Sequence, residues 1–239
     1  SKNLVLSGVT FKRASNTTAF IIKVDDAKGV AQTRYTLSNE GTLKPNAKST
    51  LSYQIGFQAG HQDGKSVQAW AANGRYGMDI APKVEAYGDV NIASGGSSNR
   101  VNSTFDHLYP TGHDRLGLMD TTGWKNIISA TAGLKFKPSA NSSLRLSYTW
   151  LQLYDKRDAW YGVGGAINAF GATLYRDPTG NAGRDIGQEI RLDYSSTLAN
   201  GFTMSTGAGV FLPGRFVKSI GGGRSGNQTF GYFMLGWKF

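Results

Sequence analysis

Apolar residues fall at every second position along most of this chain, and a side-chain period of two builds strands, not helices. The pattern is sharpest in residues 227–239, where Phe233, Leu235, Trp237 and Phe239 share one face while Tyr232, Met234, Gly236 and Lys238 share the other. One face is greasy and aromatic and the other is mixed, so the two must meet different surroundings.

The same alternation recurs upstream. Leu51, Tyr53, Ile55, Phe57 and Ala59 oppose Ser52, Gln54, Gly56 and Gln58, and Val84, Ala86, Val90 and Ile92 oppose Glu85, Tyr87, Asp89 and Asn91. Ala130, Ala132, Leu134 and Phe136 alternate with Thr131, Gly133, Lys135 and Lys137, and Leu144, Leu146, Tyr148 and Trp150 with Arg145, Ser147 and Thr149. Ile190, Leu192 and Tyr194 then oppose Glu189, Arg191 and Asp193, while Phe202, Met204, Ala208, Val210 and Leu212 oppose Thr203, Ser205, Gly207 and Gly209. Residues 3–12 and 32–43 fit less cleanly. In 66–78 the outward set is open between Val67/Ala69/Ala71 and Trp70/Ala72/Tyr76. The pattern predicts about ten strands, each near the ~9–11 residues that cross a bilayer at a tilt.

The connections sort by length. Residues 44–47, 79–82, 138–142 and 198–201 are short and rich in Pro, Asn and Gly, as tight turns require. Between them lie long connections near 13–31, 95–126, 156–185 and 213–226, with a modest turn at 61–64. Residues 17–24 have strand propensity, but a strand there upsets the alternation of short and long, so they are placed in the first long loop. Short turns on one side and long loops on the other is the rule for outer-membrane barrels. Tyr53, Trp150, Tyr154, Tyr194 and Trp237 lie near the ends of apolar faces, where an interfacial aromatic girdle belongs. A soluble sandwich fits worse, because its outward faces are polar and its strands shorter. The fold expected is all-β: one antiparallel transmembrane β-barrel domain over residues 1–239, in the bacterial outer membrane.

Composition agrees with this fold and narrows the partners. The chain is polar on average and has no long apolar run, as expected when only alternate residues face lipid. It has no Cys, so no disulfide or thiolate chemistry. No basic segment followed by an apolar one opens it, so the sequence reads as a mature form or a fragment. The formal charge of +10, from 26 Lys and Arg against 16 Asp and Glu, favours anionic partners. Lipopolysaccharide and an anionic solute fit. Nucleic acid does not, because the basic residues are scattered singly and no reader motif is present.

Several ordered stretches resemble the alginate-export family of outer-membrane barrels. They are Phe105-Asp106-His107-Leu108-Tyr109-Pro110-Thr111-Gly112-His113, then Gly123-Trp124-Lys125-Asn126, Arg157-Asp158-Ala159-Trp160-Tyr161, Gly187-Gln188-Glu189-Ile190-Arg191-Leu192 and Phe211-Leu212-Pro213-Gly214-Arg215-Phe216-Val217. The resemblance implies a channel for an anionic saccharide, an alginate-like polyuronate, with the loop of Phe105, Asp106, Tyr109, Pro110 and His113 as a family feature. Family members have about eighteen strands, within the range of such barrels. This chain is then a fragment, a small barrel, or part of an assembly. A non-conducting scaffold or docking subunit of an envelope complex is the alternative role.

If the apolar faces meet lipid, Arg34, Lys83, Lys135, Arg145 and Arg191 line the lumen as candidate substrate-pathway residues, with Glu85, Glu189 and Asp193 as their acidic counterparts. Lys137, Lys238, Glu40 and Asp89 point the same way, and Arg75 is open. Cations in a wet channel lower the barrier to an anion, and Arg binds a carboxylate with its planar fork. Mutual Arg–Glu and Lys–Asp pairing inside the barrel is the competing role for each. His61, His107 and His113 fall in connections and are expected to order loops. No catalytic constellation, cofactor motif or metal-ligand spacing is present, so no enzyme activity, cofactor or metal is expected.

Overall fold

The computed structural model describes residues 4–26, 31–108, 115–198, 201–221 and 225–237. Tyr109, Pro110 and His113 of the motif loop, and Lys238 and Phe239 at the end, lie outside the described residues. A 12-stranded sheet dominates, with the path β1-β2-β3-β4-β5-β6-β8-β9-β12-β13-β14. Its strands are β1 (Leu4–Arg13), β2 (Asn16–Asp25), β3 (Gln32–Asn46), β4 (Ser49–Gln62), β5 (Lys65–Ala81), β6 (Val84–Ala93), the short β7 (Val101–Asn102), β8 (Ile127–Ser139), β9 (Ser142–Leu153), β12 (Asp185–Thr197), β13 (Phe202–Pro213) and β14 (Gln228–Trp237). Every neighbour on the path pairs antiparallel, and β7 adds a brief parallel pairing beside β5. β10 (Ala169–Phe170) and β11 (Thr173–Leu174) form a separate small hairpin, and α1 (Arg215–Ile220) is one short helix.

The sheet is an up-and-down meander that does not close among the described residues: β1 and β14 are its edges. Two-residue turns at Ala14-Ser15, Ala47-Lys48, Pro82-Lys83 and Ala140-Asn141 lie at one end. The long connections after β6, β9 and β13 lie at the other, together with the 26–31 link and the Asp63-Gly64 turn. Gly64 sits at φ 76°, a left-handed conformation that costs glycine little.

Two assignments are corrected. Residues 17–24 are not loop: they form most of β2, paired to β1 on one side and β3 on the other. Adding this strand does not break the alternation of connections, because it reverses the direction of β1 and leaves the Ala14-Ser15 turn at the short-turn end. Of the long loop expected at 13–31, Ala14-Ser15 is a turn and Asn16–Asp25 a strand, while residues 27–30 lie outside the described residues. His61, expected in a connection, is part of β4 and pairs with Thr33 and Ser66.

Register settles the faces. Trp70, Ala72 and Tyr76 point outward on β5, while Val67, Ala69 and Ala71 point inward and are buried. Leu37, Phe57, Val90, Leu134, Leu146, Ile190, Leu192, Phe233 and Leu235 are exposed together on the convex side, as lipid-facing positions are. The aromatic girdle includes an edge-to-face pair of Trp70 and Tyr154 at 5.9 Å and stacked Phe202 and Trp237 at 5.8 Å.

Towards the long-connection end the inward residues change from polar to apolar. Val67, Ala71, Ala93, Ile127, Leu151, Leu153 and Phe211 form one core with Phe105, Trp160, Tyr175, Phe216 and Val217 from the connections. Trp160, Tyr175, Phe211 and Phe216 are each at most 1% exposed. A fully buried apolar side chain of this kind contributes roughly 1.5–3 kcal/mol, so the long connections form a packed layer inside the sheet.

Leu192 sits mid-strand on the convex face. Leu192→Arg is expected to cost about 2–4 kcal/mol when folding is titrated with urea in lipid vesicles, the range for a cation at the bilayer midplane. A change near zero would mean that this face does not meet hydrocarbon.

Candidate functional site

The strand registers assemble inward side chains into transverse rows. Nearest the short turns, Asp79, Glu85, Lys135, Arg145 and Asp193 stand side by side on successive strands. Four residues further along the strands, Arg75, Asp89, Thr131, Thr149 and Glu189 form another row. Beyond it come Gln54, Asn73, Asn91 and Ser129.

Lys135 and Arg145 face each other directly across β8 and β9, an arrangement that repels. Carboxylates on either side compensate. Asp193 takes Arg145 at 3.3 Å and Arg191 at 3.2 Å, and Glu85 takes Lys137 at 3.2 Å. In the next row Arg75 lies over the Tyr87 ring at 4.3 Å, and the Asp89 carboxylate accepts from Asn73 at 3.2 Å and also from Asn91.

Two clefts open on the concave side. One, of about 610 Å³ at the short-turn end, is lined by Lys83, Lys135, Lys137, Ser143, Ser195 and neighbours in the 139–142 turn. The second, of about 370 Å³, lies between β3–β4 and the connection 94–126, which folds inward across the sheet.

That connection is fastened at points far apart. Lys23 Nζ on β2 meets Asp106 at 2.8 Å, and Gln58 on β4 donates to the Asp106 carbonyl at 2.7 Å. On the other side, Leu118 N and Met119 N donate to the Glu189 carboxylate at 2.5 and 3.4 Å. Asp158 of the next connection accepts from Gly96 N at 2.8 Å, Thr104 Oγ1 at 2.7 Å, Ala159 N at 2.7 Å and Tyr161 OH at 2.8 Å. Asn126 donates to the Asp155 and Ala159 carbonyls, and the Trp160 indole donates to Thr122 Oγ1 at 3.1 Å. His107 contacts the Val163 carbonyl at 2.6 Å through Nε2, so this histidine links two loops.

These placements divide the expected pathway residues. Lys135, Arg145, Glu85 and Asp193 face the concave side near the short turns. Arg191 and Glu189 face the same side, but they are buried beneath the connections. Arg34 faces inward but is 2% exposed, its guanidinium donating to Gln58, Gln62 and the Thr104 carbonyl. Lys83 lies in a tight turn at φ 67° and not on a strand; its Nζ donates to the Pro138 carbonyl at 3.0 Å, and it lines the short-turn cleft. Phe105 is buried in the core against Trp124, with ring centroids 5.6 Å apart. The sequence reading missed Lys23, Gln58, Arg115, Asn126 and Asp158 as site members. Asn126 and Asp158 lay within the quoted motifs, and that was the available signal.

The connections set the protonation of their own groups. Burial pushes the Asp106 carboxyl up, but the hydrogen bond from Lys23 and the charges of Lys125, Lys23 and Arg34 outweigh it and leave the group below its ordinary range. Burial lowers His107, and it lowers Lys125 against the opposing pull of Asp106. Burial, then the neighbouring Asp158, raises the Tyr161 phenol. Exposed Asp177 is held down to about 2, first by the Ala182 amide and then by Thr179.

Comparisons with known proteins place this geometry. The profile of a family described as Alginate export matches residues 25–231. A search of curated proteins finds no match. Among solved structures, a double-substituted OccD1 (OprD) superposes with TM-score 0.56 at 8% identity, over 96% of this chain and 59% of that one. The chain thus spans 59% of the OccD1 length. The KdgM porin matches with TM-score 0.41 at 6% identity, over 100% of this chain and 92% of that one.

Asp158→Ala strands four donors, each worth about 1–3 kcal/mol when buried unpaired. Because the chain has no Cys, a Leu118→Cys substitution gives a unique reporter on the inward connection. Adding Asp158→Ala is expected to speed thiol labelling of that reporter severalfold, and equal rates would show that Asp158 does not hold the connection. A pH dependence follows from Asp106. Its folded value is depressed, so its contribution is present above the unfolded carboxylate value of ~3.9 and lost as pH falls through the folded one. Because protonation of the buried His107 loosens the same segment below about pH 6.5, the Asp106 part is read as a difference from Asp106→Asn: the difference in hydrogen exchange over residues 103–108, corrected for intrinsic rates, should stay constant from neutral pH to about 4 and shrink only below. A difference that already shrinks near pH 6 would contradict it.

Proposed function

The chain belongs to the alginate export family, an outer-membrane family of porin-like β-barrels, and from that premise we propose that it forms the wall of a passive channel for an anionic saccharide of the polyuronate kind. The observation that carries this reading is the charged row of Glu85, Lys135, Arg145 and Asp193 on the concave face beside an open polar cleft. Ammonium and guanidinium groups there offset the cost of bringing a carboxylate out of bulk water. The flanking carboxylates keep each contact weak, and conduction requires sites that a solute leaves as readily as it enters. The proposed surroundings are outer-membrane lipid and lipopolysaccharide outside the sheet, with the saccharide inside it.

A specific observation favours a second reading. The connections form a packed core across the concave side at the long-connection end, with Trp160, Tyr175 and Phe216 buried in it. A sheet filled in this way suits a scaffold or docking subunit of an envelope complex that does not conduct.

One recording separates the two. Protein purified from its native outer membrane and inserted in planar bilayers is expected to conduct with anion preference, and oligouronates should block the current. Lys135→Gln with Lys137→Gln should lower the anion-to-cation permeability ratio severalfold without changing the yield of folded protein. Unchanged selectivity would remove these residues from the pathway, and absence of conductance would favour the scaffold.

A further inference from the structure

The cleft between β3–β4 and the inward connection has an unusual inner end. It is lined by Thr36, Ser38, Gln54, Phe105, Arg115 and Trp124, with Glu40 also on its wall. Behind it lies a much smaller enclosed space of about 20 Å³ that shares Gln54, Arg115 and Trp124. At this end Arg115 Nη1 and Trp124 Nε1 are shut off from solvent and find no hydrogen-bond partner among the described residues. A buried donor left unpaired costs about 1–3 kcal/mol, and more when it carries charge. Two such donors lining one cleft mark a place where an incoming acceptor gains what the protein lacks.

The walls say what kind of acceptor. The Phe105 and Trp124 rings meet at 62°, giving the cleft an apolar corner. Around that corner stand the hydroxyls of Thr36 and Ser38 and the amide of Gln54. Apolar walls with a few convergent polar groups are the usual form of a small-ligand site. A volume of about 370 Å³ lies within the range of such sites, and a single sugar ring fits inside it. Of the acidic groups nearby, Asp106 is held by Lys23 at 2.8 Å and Asp89 by Asn73 and Asn91, with the Arg115 charge also acting on Asp89, while Glu40 stands on the cleft wall.

We propose that this cleft seats one carboxylate-bearing sugar unit, its ring in the Phe105–Trp124 corner and its carboxylate on Arg115 and the Trp124 indole N–H. The site lies to the side of the charged row, so it holds a unit of the chain in passage and does not conduct by itself. This inference rests on the anionic-saccharide reading and adds a specific docking position to it.

Calorimetric titration of the full chain in detergent micelles with glucuronate, and separately with glucose, tests it without any conductance measurement. Glucuronate is expected to bind and glucose to bind at least about tenfold more weakly, since only the former carries the charge that Arg115 takes up. Arg115→Gln and Trp124→Phe, which keep side-chain bulk, should each weaken glucuronate about tenfold, while Arg115→Lys should lose less than Arg115→Gln. Equal affinity for the two sugars, or equal affinity in all variants, would overturn the site and leave a trapped water as the partner of both donors. Anion-selective conductance alongside such a failure would spare the channel reading, whereas glucuronate binding without conductance would spare the site alone.

Discussion

Every backbone N–H and C=O that lies in hydrocarbon must find its partner inside the protein, and the rest of this structure follows from that requirement. Strands meet it only by lying side by side, so each long strand here pairs antiparallel with its neighbours on the path. Pairing fixes register, and a period of two then sends alternate side chains to opposite faces. The convex face must be apolar because lipid offers no hydrogen bonds. The concave face is released from that demand, and all the polar chemistry of the chain collects there. β1 and β14 meet the requirement on one side only. In hydrocarbon such edges need a pairing partner, each other or another strand.

The connections solve a second problem. A concave sheet with a polar inner face has no core of its own, and long loops at its end would carry unpaired backbone groups. Here they fold inward and use inward strand positions at the long-connection end as a floor. Ala71, Ala93, Ile127 and Leu151 are wholly buried there under Trp160, Tyr175 and Phe216. The backbone groups freed by the loops are taken by a few buried side chains: Asp158 accepts at Gly96 and Ala159, Glu189 accepts at Leu118 and Met119, and Asn126 donates to two carbonyls. The family-like stretches around residues 105, 124, 158, 189 and 214 thus coincide with the fasteners of this layer.

Much of this was legible in the sequence, for a physical reason. Where one face meets lipid throughout, alternation is strict, and the faces of β4, β6, β8, β9, β12, β13 and β14 could be assigned by inspection. The ambiguity in β5 arose because Val67, Ala69 and Ala71 are apolar yet inward. They lie under the loop layer, and periodicity cannot distinguish lipid from a packed loop. The alternation of short and long connections argues against β2 only while 13–31 counts as one connection, and Phe20, Ile22 and Val24 alternate as well as any strand. Lys83 lies one position beyond the 79–82 turn expected from Pro82, because composition marks a turn without setting its length. The partners of Arg34, Asp106 and Glu189 are dozens of residues away in sequence, so no local pattern could announce them.

The distribution of burial along the strands bears on where selectivity can reside. Arg34, Glu189 and Arg191 are almost wholly buried, and Arg34 and Glu189 are spoken for by loop or strand groups. A charge buried and paired in this way is costly to unpair, so it holds structure and offers little to a passing solute. Arg145 keeps about a quarter of its side chain exposed and Lys137 nearly half, at 24% and 45%. These groups can exchange a carboxylate partner for a solute at small cost, because their own pairs are already screened by water. The same residue types therefore act differently at the two ends of one sheet. Charge content alone would have assigned the pathway to all of them. On the proposed channel reading, exposure leaves the exchangeable charges of the strands themselves in the half of the concave face nearest the short turns, where the loop layer does not reach.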